Sequence, residues 1–406
     1  MPAIMTEVPT PAGTAGFRAT VAALAVGQVL CWAALYYTFS SLVLPMQGAL
    51  GWDKPLTMGA FTLGLFVWGA ATYPVGAAID RGHGRAVMTG GAALAGLGFL
   101  GWSQAAAAWH LYAAWAVLGA AMAMTLYEPA FNVLTKRYPL RYLEGITALT
   151  LVGGFASTLA FPAVAALMAA FGWRGALAGI GALLLFGVAP LHAWALRGPA
   201  GVAAQATADA EEHSTLRQAL ATRAFWLLTL TFTLYAFASA ALWAHVMPAF
   251  AAKGLDAPQA LAVLVWVGPA QVAGRLAYVW AGRALPLHLL GIAVLAGMPL
   301  SLLLFALSDR VAVLLLFALL FGIANGLVTI VRGALVPEYF GRRHVGRIGG
   351  AMSAVGLLAR AAAPLLTAWL LLLVPGYREV LLVLAALGVG AALAFALARP
   401  PESAVV

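Results

Sequence analysis

Residues 264–282 read LVWVGPAQVAGRLAYVWAG, a run apolar enough to lie in a bilayer that still carries Arg275 near its middle. A hydrocarbon core needs about 20 mostly apolar residues per helical crossing, and this run supplies them. A guanidinium keeps its proton in any protein environment. A charged side chain at the centre of a bilayer costs about 2.5–3.5 kcal/mol on insertion scales. Arg275 therefore demands a partner, either a residue of the chain or a ligand.

Composition places the run in a membrane and not in a soluble core. The 406 residues are 64% hydrophobic and 9% charged, with a mean hydropathy of +0.96. Soluble domains carry about 25% charged residues, and a water-soluble fold could not hide this much apolar surface. The single cysteine, Cys31, excludes an internal disulfide and a cysteine metal site. The first sixteen residues are polar and small with no basic stretch before an apolar run, so a cleaved signal is not expected.

Apolar runs set against Gly, Pro and charge give twelve expected spans, at about residues 19–46, 57–79, 86–106, 109–134, 145–170, 175–196, 224–250, 259–281, 286–307, 311–334, 348–374 and 380–398. Residues 197–223 differ in character. They hold Asp209, Glu211 and Glu212 and few large apolar residues, and read as a linker between two sets of six. The expected organisation is a tail at 1–18, a six-helix bundle at 19–196, the linker at 197–223, a second bundle at 224–398 and a tail at 399–406. With both termini in the cytoplasm, the inside segments hold fourteen Lys and Arg residues and the outside loops hold five. That excess is the positive-inside bias, and it orients the chain in an inner (plasma) membrane. The net charge of +9 follows from this scatter of arginines and is no sign of nucleic acid.

The halves echo each other. VWGAATYPVGAAIDRGHGR (Val67–Arg85) resembles VWVGPAQVAGRLAYVWAGR (Val265–Arg283), as a duplicated six-helix unit would leave behind. The connection GAAIDRGHGR (Gly76–Arg85) has a glycine that allows close helix approach. It also has Asp80, placed to face a helix N-terminus, and two arginines, Arg81 and Arg85. This stretch resembles the loop signature of the major facilitator superfamily, with His83 where a glycine is common. The resemblance covers essentially the whole chain. It implies an all-α polytopic protein with two pseudo-symmetric six-helix bundles around a central site.

A finer resemblance lies in YYTFSSLVLPMQGALGWDKPLTMGAFTLG (Tyr36–Gly64) and GPAQVAGR (Gly268–Arg275). Both look like the monocarboxylate-transporter and oxalate/formate-antiporter branch. That resemblance implies that Arg275 binds substrate. Many members carry an aspartate one turn earlier, where this chain has Gln271. It also implies a second cation in the eleventh span, a lysine in relatives and Arg360 here. Within the superfamily an acid in the fourth span often pairs with a loop arginine, which would join Glu128 to Arg85 or Arg81.

Read from the residues alone, only Glu128, Arg275, Arg332 and Arg360 are charged within the expected spans. Arg275 and Arg360 lie near mid-membrane with no central acid, so an anion on the pair is one reading and backbone carbonyls are the other. Glu128 is either an ion-pair latch or a proton carrier. Arg332 reads as an interhelical or headgroup contact. Tyr36 or Tyr37, Tyr127, Tyr235 and Asn325 can hydrogen-bond a substrate or simply join helices. His245, near the outer end of the seventh span, can titrate or merely sit at the interface.

No phosphate-binding loop, metalloprotease motif or nucleophile elbow occurs. Neither enzyme activity, a cofactor nor a metal is expected. The expected activity is secondary transport of a small organic anion, a mono- or dicarboxylate, coupled to protons. The alternatives are anion exchange and efflux of amphipathic compounds. The expected partners are the substrate, protons and the lipid bilayer, with the protein a monomer.

Overall fold

A computed structural model describes residues 14–198, 214–282 and 285–399. These residues are helical throughout, with no strand among them. Ten stretches are long and apolar enough to cross a membrane. The two longest, Leu56–Ser103 and Thr158–Ala195, run to 48 and 38 residues. Each contains a glycine at positive φ, Gly82 at 93° and Gly172 at 67°, where the helical path breaks. Side chains with a Cβ avoid that conformation.

Divided at these two glycines, the described residues form twelve rods. The first is α1 (14–50), continuous through a π turn at Ala33–Tyr37. Then come α2 (Lys54–Ala78), α3 (Gly84–Ser103) and α4, made of Ala108–Thr125 and Tyr127–Arg137. Next are α5, Tyr142–Gly153 continuing over 156–171, and α6 (173–195). The second set begins with α7 (Arg223–Ala252) and α8, Ala257–Leu264 continuing over 267–282. It ends with α9 (Leu287–Leu307), α10 (Val311–Phe340), α11 (Val345–Leu370) and α12 (Tyr377–Leu397).

Local chemistry sets several starts. Asp53 accepts from the Leu56 amide at 2.9 Å, just before α2. Thr222 accepts from the Phe225 amide at 3.2 Å ahead of α7. Asp256 and Gln259 form a reciprocal capping box ahead of α8. Some boundaries differ from expectation. Arg18 belongs to α1, which begins at Thr14, and α10 runs six residues past its expected end. Within the expected linker, Leu216–Ala221 forms a short helix capped by Thr215. The acids Asp209, Glu211 and Glu212, and Arg283, lie outside the described residues.

Each half has its own core. In the second half, Phe250, Phe305, Phe317 and Phe321 stack along α7, α9 and α10. In the first, Phe39, Phe61, Trp102 and Trp115 interlock. The halves meet chiefly along α2 and α11. A Cβ on Gly76 would collide with the backbone of Gly346, so this contact is backbone to backbone. It lies at the face where α1 begins and α12 ends, called here the terminal face.

Candidate functional site

Arg275 sits on α8 and is 2% exposed. Its Nε donates to the Gly326 carbonyl of α10 at 3.0 Å. This is possible because α8 and α10 nearly touch, and a Cβ on Gly326 would crowd the Gln271 backbone. The other end of the guanidinium crosses to the first bundle. Its Nη1 lies where a Cβ on Gly154 of α5 would be, and it has no hydrogen-bond partner. Tyr127 and Tyr37 are its electrostatic neighbours. No acid approaches it among the described residues.

Tyr127 organises this level. Its ring lies 5.0 Å from Trp32 and 5.4 Å from Phe131, and a Cβ on Gly153 would press on its hydroxyl. Trp32 Nε1 is a second buried donor with no partner. Two unsatisfied donors, one of them cationic, therefore border one tyrosine. Buried polar groups are nearly always paired. Tyr36 turns instead toward Trp32 and Phe61, and it is Tyr37 that neighbours Arg275. Gln271 is partly exposed and makes no side-chain hydrogen bond among the described residues.

Arg360 on α11 stands at the same depth. Tyr235, beside Arg360, donates to Asn325 Oδ1 at 3.1 Å, and Asn325 adjoins the Gly326 that holds Arg275. Arg360 is partly exposed and makes no hydrogen bond or ion pair among the described residues.

Glu128 does not pair with Arg81 or Arg85. Both arginines are exposed and unpaired among the described residues, because the chain turns away at Gly82. Glu128 Oε1 instead accepts from Arg332 Nη2 at 2.6 Å, and the same nitrogen donates to Ser353 Oγ at 2.8 Å. This ion pair crosses between bundles, with side chains 35% and 25% exposed for Arg332 and Glu128. Glu128 Oε2 has no partner.

At the terminal face, Asp80 accepts from the backbone amides of Gly346 and Arg347 at 3.0 and 2.8 Å. These amides open α11, where the helix dipole favours an anion. Lys136 lies 3.6 Å from Asp80 and donates to the Arg343 carbonyl at 2.9 Å. His344 is set among Asp80, Arg347, Arg343 and Lys136. Burial lowers its imidazole most; Asp80 pulls it up and the three cations push it down, leaving it below the ordinary histidine value. These contacts close the terminal face. His245 is remote from them, with Nε2 3.1 Å from the Pro364 carbonyl and Nδ1 3.4 Å from Tyr377.

Sequence reasoning missed Trp32, Lys136, Ser353 and His192. His192 is fully buried in α6 against the Met88 carbonyl at 3.1 Å. Trp32, Ser353 and His192 are polar-tipped residues in apolar runs, the signal that drew attention to the arginines, but none carries the cost of a mid-membrane cation, and Lys136 lies among loop cations just past the fourth expected span.

Known proteins agree with this architecture. The human organic anion transporter MFSD10 (TETRAN) superposes with a TM-score of 0.69 at 17% identity, covering 95% of this chain and all of that one. The E. coli fucose:proton symporter FucP superposes with a TM-score of 0.73 at 15% identity, over the same shares. In sequence, the human protein Monocarboxylate transporter 11 is 34% identical over 116 residues. That match spans 28% of this chain and 25% of the relative's length. The Major Facilitator Superfamily model matches residues 24–313. With that match over most of the chain and this fold, the protein is a transporter and belongs to the Major Facilitator Superfamily.

Proposed function

We propose that the protein is a secondary active transporter moving a small organic anion, a mono- or dicarboxylate, across the inner (plasma) membrane. The observation that carries this reading is the buried Arg275, whose Nη1 has no partner while no acid approaches it among the described residues. A carboxylate would satisfy that nitrogen with a charge-assisted hydrogen bond. Trp32, Tyr127 and Tyr37 would orient the anion from the first bundle. Arg360, with the Tyr235–Asn325 pair, would contact it from the second. The names of the human relatives, a monocarboxylate transporter and an organic anion transporter, support the class.

Access alternates as one bundle rocks on the other. In this conformation the terminal face, cytoplasmic by the placement of its arginines, is shut. Proton symport is the favoured coupling, since a monocarboxylate entering with one proton, or a dicarboxylate with two, moves no net charge. Anion exchange is the second reading, favoured by the surplus of interior cations.

The test is uptake of labelled lactate and oxalate into proteoliposomes. Arg275→Gln should lower uptake about ten- to a hundredfold, the loss expected for one hydrogen bond to a charged group. An imposed proton gradient should drive uptake under symport, whereas preloaded anion should drive it under exchange. Wild-type rates in Arg275→Ala and Arg360→Ala for every carboxylate tried would overturn the anion site.

A further inference from the structure

We infer that Arg332 and Ser353 form a second carboxylate subsite on the terminal side of Arg275, with Arg360 shared between the two, and that Glu128 occupies it here as a built-in carboxylate. The inference rests on the reading that this cavity carries anions.

Geometry divides the four residues unequally. Arg332 lies on α10, and Ser353 and Arg360 on α11, all in the second bundle. Glu128 alone belongs to the first, on α4. Arg332 spends one nitrogen, Nη2, on both Glu128 and Ser353. Its Nη1 and Nε make no hydrogen bond among the described residues, and the side chain is 35% exposed. Arg360 is its electrostatic neighbour and also has open donors. Two neighbouring guanidinium groups thus have a single carboxylate between them in the count of charges, and it binds Arg332 through one oxygen only. A fork-to-fork pair would use both oxygens and hold more tightly.

Movement then decides the chemistry. When the bundles part at the terminal face, Glu128 leaves with its bundle while Arg332, Ser353 and Arg360 stay together. A guanidinium stripped of its acid is costly unless another anion replaces it. Arg332 lies six residues beyond Gly326 on α10, about 9 Å along the axis at 1.5 Å per residue. An anion leaving Arg275 toward the terminal face would reach this subsite next. The built-in carboxylate keeps the subsite filled while that face is shut.

The probe is acetate, added to the purified full-length protein against sodium chloride of equal ionic strength, with melting temperature as readout. Glu128→Ala should bind acetate about tenfold more tightly than wild type, as expected when one charge-assisted contact becomes available. The gain should vanish in Glu128→Ala/Arg332→Gln and survive in Glu128→Ala/Arg275→Gln. If Glu128→Ala does not fold, Glu128→Gln asks the same question, because an amide cannot replace the ion pair. Equal acetate affinity in wild type and the Glu128 variant overturns the subsite, as does a gain that persists without Arg332. Acetate binding at Arg332 in a protein that transports no carboxylate would leave the subsite standing and sink the transport reading. Carboxylate uptake without the acetate gain would do the reverse.

Discussion

Gly154 and Arg275 share a space that admits only one side chain. A Cβ at 154 would lie on the Nη1 nitrogen, so Gly154→Ala must displace the guanidinium from α5. The backbone there is ordinary helix, with φ of −62°, so folding should tolerate the change while carboxylate uptake falls about tenfold or more. Uptake by Gly154→Ala at the wild-type rate would show that Arg275 does not act where it sits. His344 gives a prediction in pH. Its imidazole lies below the ordinary histidine value of 6.5 in this closed form, so the closed form binds fewer protons than an open form that frees it. The stability of closure is therefore full above the ordinary value and is lost as pH falls from there through the lowered value of the closed form. Maleimide labelling of a cysteine placed at Ala351, in a Cys31→Ser background, should speed up on acidification. His344→Gln should flatten that dependence.

At the scale of elements, α2 and α11 meet through Gly76 and Gly346. Gly346→Val would force the backbones apart, and overpacking of this kind costs about 1–3 kcal/mol. The expected outcome is a terminal face that labels readily at every pH, with a lowered melting temperature. Unchanged labelling would mean that closure does not depend on this contact. The helices themselves were legible in the sequence because each is a run of apolar residues closed by Gly, Pro or charge. The early start of α1 was not legible, since Thr14–Arg18 mixes small residues, one phenylalanine and a charge and makes no apolar run. Nor was the extension of α10, whose last turn passes Glu338 before stopping at Gly341. Arg275 was legible as a site because a mid-span cation is conspicuous on its own. The Glu128–Arg332 pair was not. Its members are 204 residues apart, and only the register of one bundle on the other brings them together.

Over the whole molecule, the polar ties between bundles described above sit on the terminal side of Arg275. Asp80 with the α11 amides, Lys136 with Arg343, and Glu128 with Arg332 all lie there. Removing one should shift the balance toward a form open at the terminal face. Asp80→Asn keeps the size but loses the charge that faces both Lys136 and the helix dipole. About 1.5–3 kcal/mol is expected for a hydrogen bond to a charged group, so labelling at Ala351→Cys should rise about tenfold or more. No change in labelling would place the closing energy elsewhere. The tie itself needed the structure, since the sequence offers Asp80 no sign of which helix end it meets.

Across the bundles, the partners of Asp80 are main-chain amides of α11, not side chains. Mutational tolerance should then be lopsided across this junction. On one side a single carboxylate cannot be exchanged. On the other, Arg347 can drift to any residue that still carries an N–H, with proline as the exception. A saturation library at 347 should therefore lose proline and keep most other residues, while a library at 80 keeps little beyond aspartate.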